Sequence, residues 1–299
     1  MRHKADITLK DRNGGTLFHY ASSSGNVLVM KLIFSFCVAL EARDSENDTP
    51  LQWAAHKGHS KAVEFMVQNG ANVNAKIGQS KIALHWAAEF GHVDCVLTLI
   101  RFGSNIDDKD EDENTPLLLA TAANKEEVVK CLVSNHAKVN AQERNGRAAL
   151  HVAIQKGYTS CIEALKSEKL NCDIVDNYGA TPLHLAVAFS QIEAAAKLVN
   201  EMGADVNAVD NKGRTALQVS LLLNKTAIAD IIQTACHAAL KGTSDVKRGI
   251  DALFHPMLED ADEKKSEVTC QARKQSTASS LVVSSALGMC VVHRFFFKL

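Results

Sequence analysis

The sequence predicts an all-α repeat solenoid of stacked helix–turn–helix units joined by β-hairpin-like turns. Three observations predict it. An apolar residue returns at a near-constant interval, at Phe18, Leu51, Leu84, Leu117, Leu150, Leu183 and Leu217, in steps of 33 residues five times and of 34 once. Each return opens a short stretch of apolar and small residues, and a second stretch follows with apolar residues at helical spacing. Glycines stand where these stretches should end. Helices this short are marginal alone in water, so each must bury its apolar stripe against the next unit, and a fixed period is the mark of such stacking.

The unit from Asn47 to Ala75 shows the elements in order. Thr49 can cap a helix through its hydroxyl, and Pro50 costs nothing at the first helical position. Leu51, Trp53 and Ala54 begin the first helix, and Gly58 should end it. The second helix runs from about Ser60 to Gln68, with Val63, Met66 and Val67 at helical spacing and Gly70 after it. An extended link carries the next turn.

The segments Thr16-Leu-Phe-His-Tyr-Ala21, Thr49-Pro-Leu-Gln-Trp-Ala54, Ile82-Ala-Leu-His-Trp-Ala87, Thr115-Pro-Leu-Leu-Leu-Ala120, Ala148-Ala-Leu-His-Val-Ala153, Thr181-Pro-Leu-His-Leu-Ala186 and Thr215-Ala-Leu-Gln-Val-Ser220 are in register. Tails match at Gly70-Ala-Asn-Val-Asn74, His136-Ala-Lys-Val-Asn140 and Gly203-Ala-Asp-Val-Asn207. This pattern resembles the ankyrin repeat, seven copies of it, preceded by the tail of an eighth at Ala5-Asp6-Ile7. The division that follows is a repeat tail over 1–10, a seven-repeat domain over 11–240, a short helical extension over 241–258, and a flexible polar tail over 259–299 that ends in an apolar run.

Three departures stand out. One extra residue falls between Leu183 and Gly203, and the spacing of Ala195, Leu198 and Val199 puts it at Asn200 to Met202. At Ile77 the usual turn aspartate is missing, and Ile82 replaces the capping threonine, which predicts a looser joint. The opening tail leaves the first full repeat without a polar capping repeat, and the expectation is a chain shortened at that end.

Composition narrows the function. There are 33 basic and 34 acidic residues, and aromatic residues make up 5%. No basic surplus or stacking platform for nucleic acid appears. The eight cysteines form no CxxC pair, and several sit on apolar helix faces as small hydrophobes. A reducing compartment is expected, the cytoplasm first and the nucleus also open. The lone sequon at Asn224-Lys225-Thr226 hardly counters this, and no leader segment opens the chain. The apolar run from Leu281 to Val292 is too short for a spanning helix, so membrane association stays open.

No phosphate loop, nucleophile elbow or HExxH is present, so no catalytic, cofactor or metal residue is named and the chain is read as a non-enzyme. His19, His85, His151 and His184 share one repeat position and form a spaced row. Side chains that bind one ion must lie much closer together. The resemblance implies that they brace the turn, and Gln52 and Gln218 in the same position suit hydrogen bonding. His59 and His92 read as inter-helix turn residues. Trp53 and Trp86 are expected in the inter-repeat core, with Tyr20, Leu119, Val152, Leu185 and Val219 at the same position, against the alternative of exposed binding anchors.

Partner-binding candidates are the acidic stretch Asp107, Asp108, Asp110, Glu111, Asp112 and Glu113, then Arg144, Arg147, Lys212 and Arg214. Charge of this kind steers encounter and would suit a partner with a basic segment. The resemblance also implies hydroxylation as a fate for Asn74, Asn140 and Asn207, against a plain turn-bonding role. The leading expectation is a scaffold or adaptor, monomeric alone, that binds partner proteins through the concave face and turn tips. The alternatives are the cytoplasmic arm of a membrane protein or channel, or the regulatory part of a larger enzyme.

Overall fold

The computed structural model describes residues 9–76 and 78–240, with side chains through Cys236. The expectations for the opening tail at Ala5, for 241–258 and for 259–299 with its apolar run lie outside the described residues. Fourteen helices are found among those described, two per repeat. They are α1 (Leu17–Ser23), α2 (Val27–Phe34), α3 (Pro50–Lys57), α4 (Ser60–Gln68), α5 (Ala83–Phe90), α6 (Val93–Arg101), α7 (Pro116–Ala122), α8 (Glu126–Ser134), α9 (Ala149–Lys156), α10 (Thr159–Leu165), α11 (Pro182–Ala188), α12 (Ile192–Asn200), α13 (Ala216–Leu222) and α14 (Thr226–Leu240). Odd-numbered helices pack in one row and even-numbered helices in a second.

Local chemistry sets the helix ends. Thr16, Thr181 and Thr215 accept backbone N–H bonds from His19, His184 and Gln218, and Thr115 accepts from Leu118. Pro50, Pro116 and Pro182 stand in the first turn, where the missing N–H costs nothing. Gly58 closes α3 at φ 81°, and a Cβ there would lie 2.5 Å from the His92 ring. Both the left-handed backbone and the packing of the next repeat therefore require glycine.

The seven returning residues are the core of the stack. Leu84 and Leu150 are fully buried, and Leu217 in the last repeat is the most open at 9%. Second helices add Val63 and Met66, Val96 and Leu99, and Val129 and Leu132, all buried. Cys95 and Cys161 are buried among them as small hydrophobes, and burial pushes the Cys95 thiol up to about 12. Buried positions inside the stack are uncovered at its first end. Leu17 and Val29 are exposed, while Ala83 and Ala62, one or two repeats on, are buried.

The turns are hairpin-like, as expected. Isolated antiparallel bridges join Lys10 to Thr16, Gln142 to Ala148 and Val209 to Thr215, and no longer strand occurs among the described residues. Asp11, Asp44, Asp110, Asp176 and Asp210 each fold a carboxylate oxygen back onto two backbone N–H groups of their own turn. Successive turns are laced together by Ser45 N to Asn13 O, Glu111 N to Gln79 O, Arg144 N to Asp112 O, Asn177 N to Asn145 O and Asn211 N to Tyr178 O.

The turn at Ile77 differs. Other turns place one residue in the left-handed region, three positions after the acid: Gly14, Asn47, Glu113, Gly146, Gly179 and Gly213. Here Gly78, Gln79 and Ser80 all have positive φ, at 25°, 55° and 56°. Two of these are non-glycine residues in a conformation that strains an L side chain.

The inserted residue is visible in the hydrogen bonding. Ala71, Ser104 and Ala137 donate to the carbonyl five residues back, at Met66, Leu99 and Leu132, whereas Ala204 reaches six back to Leu198. Helix α12 keeps the nine-residue length of α4, α6 and α8, so the extra residue is absorbed between Asn200 and Gly203.

The structure corrects one expectation about the core. Trp53 and Trp86 are only half-buried, and Tyr20 is 48% exposed; Leu119 and Val152 are half-buried too. Only Leu185 and Val219 of this series are fully buried. An odd-numbered helix touches its row neighbours and its own partner helix, and this position lies on the remaining side, which faces the turns.

Candidate functional site

The histidine row is structural. The backbone N–H groups of Thr16, Ile82, Ala148 and Thr181 donate to Nδ1 of His19, His85, His151 and His184 at 3.1–3.3 Å. With Nδ1 accepting, Nε2 carries the proton, and it lies 3.1 Å from Asp48 O, 3.1 Å from Asn114 O, 3.2 Å from Ala180 O and 2.9 Å from Arg214 O. Each ring thus ties its helix to the start of the next. Burial holds all four below the ordinary histidine range. Gln52 reproduces the arrangement: Thr49 N donates to Oε1 at 2.8 Å, and Nε2 donates to Lys81 O at 3.0 Å. His59 and His92 bond Ser23 O and His56 O across repeats. No group of three or more His, Cys, Asp or Glu placed to hold a metal ion occurs among the described residues.

The acidic stretch divides by role. Asp110 is 8% exposed and committed to its own turn. Asp107 accepts from Lys138 N at 2.7 Å, and Asp108 pairs with Lys76 at 2.9 Å. Glu111, Asp112 and Glu113 are exposed, with Glu113 paired to Lys109 at 2.9 Å and Asp112 to Arg144 at 3.1 Å. The basic candidates are likewise engaged. Arg147 donates to Gln155 at 2.9 Å, and Arg214 pairs at 2.6 Å with the buried Asp210; Lys212 is exposed. The tip is a lattice of compensated charge rather than a bare acidic patch.

The tail asparagines link repeats. Asn74 Oδ1 accepts from Asn105 N at 2.8 Å and its Nδ2 donates to Gly103 O at 3.1 Å. Asn140 does the same with Asn171 N at 2.9 Å and Lys169 O at 2.7 Å. Glu41, Asp107 and Asp173 accept from Asn72 N, Lys138 N and Asp205 N at the corresponding places. Asn207, in the last tail, is exposed.

Sequence reasoning missed a cleft. A cavity of about 480 Å³ opens beside the first and second turns, lined by Asn13, Asp44, Glu46, Asp48, Trp53, His56 and Trp86 among others. Trp53 is fixed there: its Nε1 donates to Asp44 at 2.9 Å, and its ring meets Tyr20 and His19 edge to face. Trp86 stacks near Phe90 and meets His56, and Lys81 lies 4.6 Å from its ring centre while pairing with Glu89 at 2.9 Å. The buried Trp86 Nε1 has no hydrogen-bond partner. The half-buried Asp48 carboxylate joins no ion pair among the described residues. Burial first, and then Asp44 and Glu46, pushes it up to about 6 against the opposing charge of Lys81. The legible signal was the pair of tryptophans one period apart.

Comparison with known proteins agrees with this architecture. The family model described as ankyrin repeats matches three times, over residues 1–77, 78–143 and 121–210. The palmitoyltransferase AKR1 of Naumovozyma castellii is 36% identical over 72 residues, 22% of this chain and 10% of that protein. The ankyrin repeat domain-containing protein 63 of Homo sapiens is 34% identical over 65 residues, 22% of this chain and 17% of that protein. The chain thus spans under a fifth of the length of these curated relatives. The crystal structure of the ankyrin repeat domain of Bcl-3, a member of the IkappaB protein family, superposes with a TM-score of 0.68 at 23% identity, covering 74% of this chain and all of that one.

Proposed function

This chain belongs to the ankyrin-repeat family, and from that premise we propose that it is a protein-binding scaffold whose ligands lie along the concave side of the odd-numbered helices and the adjoining turns. One observation carries the reading. At a single repeat position Tyr20, Trp53, Trp86, Leu119 and Val152 hold large apolar side chains partly open to solvent, although the residues two before them are almost fully buried. Aromatic side chains presented this way are the usual anchors of protein interfaces. The mechanism is recognition, with no cofactor, and the setting is the cytoplasm or the nucleus. A photocrosslinking residue at Leu119 should yield adducts with partner proteins from native cell extract, and one at Lys130 on α8 should not. Equal labelling at both positions would contradict a concave binding face.

The finer proposal is that the tip at Glu111, Asp112 and Glu113, with Arg144 beside it, registers a partner's basic segment. Neutralising the three acids should weaken partner capture and flatten its salt dependence. Unchanged affinity at both low and high salt would remove the tip from the interface. A second reading takes the repeats as a non-catalytic arm of a longer protein. The similarity to palmitoyltransferases, confined to about a tenth of their length, favours it. Full-length transcripts that end at Leu299 with no further domain would dismiss it.

A further inference from the structure

We propose that the cleft beside the second turn is a receptor for a single arginine side chain presented by a bound protein segment, with Asp48 as the pairing carboxylate and Trp53 as the platform. The proposal rests on the scaffold reading and names the chemistry of one of its contacts. Three features of the cleft point to this guest.

The first is an acid that the fold leaves unused. Asp44 is spent on its turn and on Trp53, accepting from Glu46 N, Asp48 N and the indole. Asp48 sits beside it with no ion pair among the described residues, although it is half-buried. A partly desolvated carboxylate held between Asp44 and Glu46 is costly unless a cation meets it. The same repeat position shows the protein's own solutions elsewhere. Lys81 pairs with Glu89, eight residues on, and Arg147 bonds Gln155, also eight on. At the second repeat the corresponding partner is His56, which burial keeps below its ordinary range and therefore neutral near pH 7.

The second feature is the aromatic wall. Trp53 is locked by its bond to Asp44 and by its two ring neighbours, so its position costs nothing to organise on binding. A guanidinium stacks on an indole and forks onto a carboxylate at once, which an ammonium does not. Lys57 also lines the cleft, and Lys81 already lies over Trp86, so the open place for a cation is on the Trp53 and Asp48 side.

The third is the unsatisfied Trp86 indole. Its counterpart Trp53 gives its N–H to an aspartate nine residues earlier, whereas nine before Trp86 stands Ile77. The Trp86 Nε1, buried behind the cleft, lacks an acceptor, while Asp48 on the cleft wall lacks a cation, so this corner of the protein is polar and incompletely paired.

The test uses the full chain and two short peptides, acetyl-Gly-Ser-Arg-Ser-Gly-amide and the same peptide with citrulline, which keeps the shape and removes the charge. Indole N–H resonances of Trp53 and Trp86 are followed by NMR. The arginine peptide should move both, and the citrulline peptide should bind at least tenfold more weakly. Asp48→Asn, with its fold checked by melting, should also weaken arginine binding at least tenfold, while Glu193→Gln on the exposed side of α12, in the other row of helices, should leave it unchanged. Equal binding of both peptides, no movement of either indole, or full binding by Asp48→Asn would overturn the proposal. Concave crosslinks from Leu119 that persist in such a case would leave the scaffold reading standing; their loss as well would remove both.

Discussion

Trp53 and Trp86 occupy one repeat position, a single period apart, yet the fold treats them in opposite ways. Trp53 is tied by its indole N–H to Asp44, which also holds its own turn closed. Trp86 has an unsatisfied indole, a lysine over its ring, and a preceding turn in which three consecutive residues have positive φ. The turns differ throughout, Asp44-Ser-Glu-Asn-Asp48 against Ile77-Gly-Gln-Ser-Lys81, and at the position that bonds the indole one has aspartate and the other isoleucine. A single carboxylate in this repeat therefore does two jobs: it satisfies the turn's backbone, and it pins the residue that faces the groove.

The largest effect should come from destroying the good turn. Asp44→Ala removes three accepted hydrogen bonds and should cost about 2–4 kcal/mol, read by urea denaturation, with the Trp53 emission moving towards that of a mobile indole. Building the good turn where it is missing is the converse. Ile77→Asp should raise stability by about 1–2 kcal/mol and shift the Trp86 indole resonance. If stability and resonance both stay where they were, the carboxylate is not what separates the two turns.

Asp48 gives a smaller effect with a definite pH signature. Its carboxyl is raised from 3.8 to about 6 in the folded chain, so the native state holds that proton more tightly than the unfolded one. Its contribution to stability is thus fully present at low pH and is lost as pH climbs through about 6. Asp48→Asn should therefore be neutral near pH 4 and stabilising at pH 7, by on the order of 1 kcal/mol because the group is partly open to solvent. A melting-temperature gap that fails to open between these pH values would contradict the unpaired assignment.

The smallest effect at neutral pH is expected from His85→Gln, since Gln52 already fills the equivalent place with the same two bonds. It should change stability by less than about 1 kcal/mol at pH 7. The histidines are depressed in the folded state, so their contribution is present above about 6.5, the ordinary value, and is lost as pH falls below it. Replacing His19, His85, His151 and His184 together by glutamine should flatten the acid side of the stability profile. A profile unchanged in slope would show that other groups set it.

The architecture was legible because the period is a global constraint: Phe18 through Leu217 must all face neighbours for such short helices to exist. The histidine row and the extra residue at Asn200 to Met202 followed from the same register. The openness of Trp53 and Trp86 did not. Apolar spacing marks helix faces but does not tell a face that meets another helix from one that looks into a groove. Asp48 was invisible for another reason. In sequence it is one more turn acid, and its desolvation depends on residues of the third turn, about one period away.

The tail row has a consequence for electrostatics. From repeat to repeat the linking side chain runs Glu41, Asn74, Asp107, Asn140, Asp173, so carboxylate and amide alternate. Neighbouring repeats stand roughly 10 Å apart, close to the screening length of about 8 Å in physiological salt. An all-acid row would feel its own repulsion at every joint. Interleaving a neutral amide moves like charges to about twice that spacing, beyond effective reach, while keeping an acceptor for every backbone N–H in the series. The alternation works as a charge spacer, letting the same ladder of contacts run the length of the stack without becoming an acidic comb.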